Sequence, residues 1–205
     1  MPPAKTAAVP DTSTRSRITA AAVDLWSERG YHGASLRDIA RVVGVQMSTL
    51  YHYHPSKQSL LVELMSATMD ELTEQVTAAV YSARSTREKL LAGVRAHVMY
   101  HAERSKEIFI TDSELRSLEP LGRELIVGKR DAYSQMFAVL YKQGVADGDF
   151  AIKDVPVAMS AMFGMINSVP LWYRPEGRLT LSAIADYIGE LVINGIGAPQ
   201  AKQSR

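Results

Sequence analysis

Cysteine is absent from all 205 residues of the chain. That excludes disulfide staples, thiolate metal sites and a cysteine nucleophile, and it suits a reducing cytosol. A basic-then-apolar leader is missing as well, so a cytoplasmic protein without a secretory signal is expected. No strand-like alternation and no repeat of solenoid length occurs. A Gly-rich phosphate loop and a nucleophile elbow are both lacking, which removes the commonest sequence grounds for an enzyme. Net charge is nearly absent too, at +1.

What remains is ordinary globular composition, 46% apolar and 22% charged, which rules out wholesale disorder. The length fits one domain, or a small module with a larger one, and can bury a sizeable core. The small net charge hides an asymmetry. Residues 1–60 carry 7 Lys and Arg against 4 Asp and Glu, while residues 61–205 carry 16 against 18. The front of the chain therefore tolerates a polyanion better than the rest.

One uncharged run tests the membrane question, the 19 residues Val155 to Tyr173. Its length approaches that of a bilayer span. Pro156, Ser160, Gly164, Asn167, Ser168 and Pro170 interrupt it, and its flanks are poor anchors. We read a helix buried on several sides, by its own core and by a partner chain, with no membrane partner.

The pattern is helical almost throughout, giving an all-α fold of about nine helices. Residues 1–14 read as a flexible arm, 15–55 as a three-helix head, 56–197 as a larger body and 198–205 as a flexible tail. In the head, Thr14 caps a helix to Arg29 that ends at Gly30. Ser35 caps a second, with Asp38 in its first turn, that ends at Gly44. Val45–Tyr53 forms a third, ended by His54-Pro55. Ser56 caps a long fourth helix. Further helices are expected at about 86–103, 105–115, 119–146, 154–173 and 180–195, with a kink at Pro170.

Two short helices joined through Gly44 form the arrangement that lays one helix in the DNA major groove. Val45 and Leu50 anchor the third helix, leaving Gln46, Met47, Ser48, Thr49 and His52 to face outward. Gln can bond a base edge bidentately, Thr and Met can touch a thymine methyl, and Ser can bond bases or phosphates. Tyr51 and Lys57 suit phosphate oxygens, as do the backbone N–H groups near Ser35 and Ser56. An ordinary helical corner with solvated polar residues would look alike from this pattern alone.

Several spaced anchors then agree in order: Leu25-Trp26-Ser27-Glu28-Arg29-Gly30-Tyr31, Ser35-Leu36-Arg37-Asp38-Ile39-Ala40, Val43-Gly44-Val45, Ser48-Thr49-Leu50-Tyr51 and Pro55-Ser56-Lys57-Gln58-Ser59-Leu60-Leu61. Over about 15–64 the chain resembles the DNA-binding domain of the TetR family of transcriptional regulators. The resemblance implies a homodimer on a palindromic, double-stranded operator. Within it, Ser35, Tyr51, Tyr53 and Lys57 belong to the DNA-binding set, with Tyr51 and Lys57 on phosphates. Gln46, Met47, Ser48 and His52 lie nearest the bases, and Thr49 belongs to the same DNA-binding set. The chain departs from the family at Tyr51-His52-Tyr53-His54, where His54 takes a position usually held by a buried Phe. His54 is either a satisfied core histidine or a pH-sensitive weak point. Met47 stands where a basic residue is common.

The body offers less. Met159, Met162 and Met165 drift around one helix face, as core filler or as an adaptable pocket wall. His97 and His101 have a spacing that can clamp a metal, but Met99 and Tyr100 lie between them where a zincin would carry Glu. A packed or solvated pair is expected, with no metal and no cofactor. Trp172-Tyr173-Arg174-Pro175 and Gly177 resemble the end of the penultimate helix in a group of TetR regulators that includes sterol-catabolism and fatty-acid-type members. The resemblance implies a lipid- or sterol-derived acid, or its coenzyme A thioester, as the inducer. The expected pocket is apolar, lined by Met99, Phe109, Met136, Leu140, Met162, Phe163 and Ile166. Arg174 and Arg178, or Lys129 and Arg130, are the cations available for a thioester's phosphates. Leu171, Trp172, Tyr173, Ile184, Ile188 and Leu191 are expected in a two-fold interface between copies. Two rivals stand beside the ligand-released repressor: a DNA-binding protein without an inducer, and a helical metal enzyme using His97 and His101.

Overall fold

The computed structural model describes residues 12–196, and the expected arm before Thr12 and the tail at 198–205 lie outside them. Among the described residues there are ten α-helices, α1 Thr12–Arg29, α2 Leu36–Val43, α3 Met47–Tyr53, α4 Lys57–Ser82, α5 Thr86–Glu103, α6 Ser105–Ser113, α7 Pro120–Ala146, α8 Val155–Asn167, α9 Val169–Trp172 and α10 Leu181–Ile196. A short 3-10 turn, Leu115–Ser117, joins α6 to α7.

The all-α expectation holds, and most boundaries follow from caps. Ser35, Ser56 and Ser85 each close a reciprocal capping box, with Asp38, Ser59 and Glu88 respectively. Gly44 ends α2 at φ 75°, a left-handed conformation that costs glycine no Cβ clash. Four boundaries differ from the sequence reading. The first helix begins at Thr12, inside the expected arm. The third begins at Met47, because Gln46 is its extended N-cap. The helix from Ser105 stops at Ser113 and continues only as the 3-10 turn. The expected single helix at 154–173 is two helices, separated at Ser168, with Pro170 in the first turn of the second. A proline tolerated in a first turn marks a new helix rather than a bend in an old one.

Apolar side chains gather in two clusters. One joins α1, α2 and α3 to the first turns of α4, with Trp26, Ile39 and Leu50 at its centre, and takes in Ile110 of α6 and Ile126 of α7. The other fills the body between α4, α5, α7, α8 and α10, around Phe137, Tyr141 and Leu90. Helix α6 packs on α1 and α4, and Lys106 of α6 pairs with Asp24 of α1 at 2.6 Å. It therefore connects the head to the body wall.

The uncharged run does not sit as expected. Val155–Trp172 is long and apolar enough to cross a membrane by length and composition, with a mean hydropathy of 1.3. Its own chain buries only 17% of it. Its inward face holds Met162, Ile166 and Val169, while Val157, Met165 and Leu171 are exposed. One helix lying on the outside of a bundle can bury only one stripe.

Candidate DNA-reading face and body recess

The head is rigid where it turns. The Ser35 N–H donates to the Asp38 carboxylate at 2.9 Å, and the Asp38 N–H donates back to Ser35 Oγ at 3.3 Å. The hydrogen bonds from Ser35 hold the Asp38 carboxyl below the usual range. At the other end of α2, the Gly44 and Val45 N–H groups both donate to the Ala40 carbonyl, at 2.9 and 3.0 Å. Arg17 reaches across from α1 to donate to the Val43 carbonyl, satisfying a helix-end acceptor. Leu50 is wholly buried and Val45 packs beside it, as expected of the anchors.

Gln46, Ser48, Tyr51 and His52 are exposed at this corner. Gln46 makes no side-chain cap bond, so its amide is free to read a base edge. Met47, Thr49 and Tyr53 are half-buried. Met47 and Tyr53 pack against the head core, so Met47 does not stand fully outward as the pattern suggested. A flexible side chain at the first position of a short helix folds onto the nearest apolar surface.

Lys57 differs most from expectation. Its ammonium donates to the Tyr31 carbonyl and lies 4.1 Å from the Tyr31 ring centroid, rather than projecting toward a phosphate. Partial burial lowers its pKa. His54 is fully buried, and neither ring nitrogen has a hydrogen-bond partner. Its Nδ1 lies 3.4 Å from Glu63, itself paired with Arg15. The reading of a satisfied core histidine is therefore corrected: the site is buried and unsatisfied. Burial depresses its pKa, and Glu63 opposes that.

In the body the seven expected pocket residues do not line one cavity. Phe109 is 52% exposed on the outer side of α6. Leu140, Met162 and Ile166 are core residues, and Met99 and Met136 pack at the edge of the same core. Met162 borders an outer groove between α7, α8 and α10. Phe163 alone of the seven lines the recess that opens among α4, α5, α6, α7 and α8. That recess holds 150 Å³ and is not apolar: Met69, Leu72, Ile108 and Phe163 share its wall with His97, His101, Thr111, Asp112, Arg130, Tyr133, Ser134 and Asn167.

The polar groups are ordered. Asn167 Oδ1, which can only accept, lies 2.8 Å from His97 Nε2, so Nε2 carries the proton. His97 Nδ1 then accepts from the Tyr133 hydroxyl at 2.7 Å. His101 stacks on His97 with ring centroids 3.8 Å apart, and its Nδ1 is buried without a partner. Burial depresses both histidines; Arg130 pushes His101 further, to about 4. Arg130 donates to the Thr111 carbonyl at 2.7 Å and to Asp112 at 2.9 Å. Burial raises the Asp112 carboxyl, and Arg130 only partly offsets that. Sequence reasoning missed Asp112 and Tyr133. Tyr133 lies three residues after Arg130 and four before Phe137, a helical spacing that could have placed it on the inner face.

Arg174 and Arg178 are not at this recess. They line an open apolar groove with Trp172, Tyr173, Tyr187 and Leu191, over a floor of Ile184 and Ile188. Lys129 is paired with Asp70 on α4. Of the expected interface residues, Leu171, Trp172 and Leu191 are exposed, Tyr173 is half-buried, and Ile184 and Ile188 are buried in the chain's own core. No group of three or more His, Asp or Glu suited to a metal occurs among the described residues.

Two family models match. "Bacterial regulatory proteins, tetR family" covers residues 18–64, and "Tetracyclin repressor-like, C-terminal domain" covers residues 83–196. The chain is 26% identical to the fatty acid metabolism regulator protein of Bacillus subtilis, over 88% of this chain and 94% of that one. It is 26% identical to the transcriptional repressor KstR2 of Rhodococcus jostii, over 90% and 92%. It is similar to the solved structure of AibR in complex with isovaleryl coenzyme A and operator DNA, with a TM-score of 0.78 and 27% identity over 91% of this chain and 99% of that one.

Proposed function

The chain belongs to the TetR family of transcriptional regulators, and on that premise we propose that it is a cytoplasmic repressor, dimeric on a palindromic operator and released by an acyl-type ligand. The observation that carries the reading is the cap-locked corner of α2, Gly44 and α3, which presents Gln46, Ser48, Tyr51 and His52 together. A short helix held this rigidly is suited to entering the major groove, with Gln46, Ser48 and His52 toward bases and Tyr51 toward phosphate. Met47 and Thr49, half-buried beside them, would offer apolar contact to thymine methyl groups, and the helix N-termini at Ser35 and Ser56 would face the backbone. The head comprises residues 15–55 and the ligand-binding and dimerisation body residues 56–197.

Two heads must meet successive major grooves, roughly 34–36 Å apart. A ligand can release them only by binding better to a body that holds a different spacing. Relatives named for fatty-acid metabolism, KstR2 and a neighbour solved with isovaleryl coenzyme A support an acyl or lipid-derived ligand. A ligand-independent regulator is the second reading, favoured by a 150 Å³ recess below the roughly 300 Å³ of ordinary ligand pockets.

The test is selection of bound sequences from random duplexes, followed by release with fatty acids and their coenzyme A thioesters. A palindrome and release by an acyl compound are expected. A non-palindromic consensus overturns the dimeric operator. A palindrome that no acyl compound releases favours the second reading.

A further inference from the structure

We propose that the body recess is a carboxylate site, in which an acid ligand displaces Asp112 from Arg130 and so frees α6. The inference rests on the ligand-released reading above and names the chemistry of that ligand's buried end.

Three observations support it. The first is an unmet polar group at a buried position. His101 is 5% exposed, its Nδ1 has no partner, and it faces the recess beside Arg130. A buried nitrogen left unbonded is costly, and as an N–H it would donate to a ligand's carboxylate oxygen. The second is that Arg130 is satisfied by a replaceable partner. Asp112 is exposed overall, and burial at the pair raises its pKa. It can therefore rotate to water when another carboxylate takes the guanidinium. One Arg130 nitrogen holds both Asp112 and the Thr111 carbonyl, so the rest of the planar guanidinium is open to a ligand carboxylate. The third is size. A cavity of about 150 Å³ admits a group of roughly benzene's volume, so the recess takes a short acyl end and not a whole sterol.

The neighbouring groups suit this role. His97 is already bonded on both sides, to Tyr133 and Asn167, and forms a fixed neutral wall. Met69, Leu72, Ile108 and Phe163 cover the hydrocarbon. Asp112 and Arg130 are the charged residues on this wall. An incoming carboxylate therefore finds one cation, one competitor and one unpaired imidazole.

The exchange also has a route to the head. Asp112 and Thr111 lie at the end of α6, both held by Arg130 of α7. The same helix inserts Ile110 into the head cluster and ties Lys106 to Asp24 of α1. Removing Asp112 from Arg130 loosens the end of α6, on which α1 rests.

Calorimetry on the full chain without DNA tests the proposal, using isovaleric, hexanoic and octanoic acids beside isovaleryl coenzyme A. We expect the free acids to bind, Arg130→Gln to weaken them about ten- to a hundredfold, and Asp112→Asn to tighten them about tenfold or more, having removed the competitor. Arg130→Lys keeps the charge and the fold but not the fork, and should lie between. In operator binding without ligand, Asp112→Asn should weaken the complex. Equal loss in Arg130→Gln and Asp112→Asn would mean a merely structural pair and overturn the proposal. Binding by isovaleryl coenzyme A alone, indifferent to Arg130, would overturn the carboxylate site and leave the acyl-released repressor standing. Binding by none of the four would reject both.

Discussion

Lys57 and Tyr31 are joined twice: the ammonium donates to the Tyr31 carbonyl and rests over the Tyr31 ring, 4.1 Å from its centroid. The adjoining Gln58 donates to the Tyr31 hydroxyl at 3.2 Å and to the Ser117 carbonyl at 2.7 Å. The start of α4 is thus tied to the loop after α1 and to the turn before α7. In the free protein, Lys57 is a brace.

The first prediction follows from that brace. Lys57→Ala should destabilise the protein by about 1–2 kcal/mol, the sum of a charged hydrogen bond and an exposed cation–π contact, after solvent screening. Thermal melting without DNA measures it. The slope of log affinity against log salt should stay within half a unit of wild type. A fall of about one unit would show instead that Lys57 swings out to neutralise a phosphate.

Tyr51 and the pair Gln46 and His52 should separate on another axis. Tyr51→Phe should weaken every duplex to a similar degree, since a phosphate bond carries no sequence information. Gln46→Ala and His52→Ala should change the preferred bases, by about 1–3 kcal/mol at the affected positions. Competition binding with single-base operator variants distinguishes the two patterns. A uniform loss for Gln46→Ala would remove it from the base-reading set.

His101 gives a pH prediction. Its pKa falls from 6.5 to about 4 on folding, through burial and then Arg130. The unfolded chain binds this proton more readily, so stability must fall as the medium acidifies. The contribution is fully present above about pH 6.5, is lost progressively toward pH 4, and totals about 3 kcal/mol. His97 is depressed too and adds in the same direction. Urea unfolding of wild type and His101→Leu over this window should give a difference that grows as pH drops. Parallel curves would mean that His101 is not held neutral in the fold.

What the sequence carried and what it did not follow from distance along the chain. Ser35 with Asp38, Gly44, and Ser56 with Ser59 are local devices, complete within a few residues, and each is where its residue type demands. A lone proline at 170 predicts a kink from sequence, but α8 ends at Ser168 before it. Ile108, Phe109 and Ile110 are three apolar residues in a row on one helix. They cannot all face inward, and the helical period did not select the one left exposed, Phe109. Asn167 interrupts the uncharged run without naming its partner, because His97 stands 70 positions away. Asp112 and Arg130 meet only because α6 and α7 pack together, so the recess looked apolar until the fold supplied its charges.

The last prediction concerns the face that the chain leaves open. Val157, Leu171, Trp172, Tyr187 and Leu191 are each at least 49% exposed, on α8, α9 and α10. Apolar patches of this kind on a soluble protein mark an interaction surface. Ile184 and Ile188, buried beneath them, keep α10 fixed whether or not a partner is present. A second copy related by a two-fold axis would bring the same two long helices face to face, a four-helix contact. Leu191→Arg places a cation at the exposed part of this face without touching the core, so it should melt like wild type at low concentration. It should sediment as a monomer at micromolar concentration, where wild type is expected to be a dimer, and should bind a palindromic operator at least about a hundredfold more weakly, because each head would then bind alone. Val157→Arg should act in the same direction from the other helix. A dimer that survives both substitutions would place the two-fold interface elsewhere on the body.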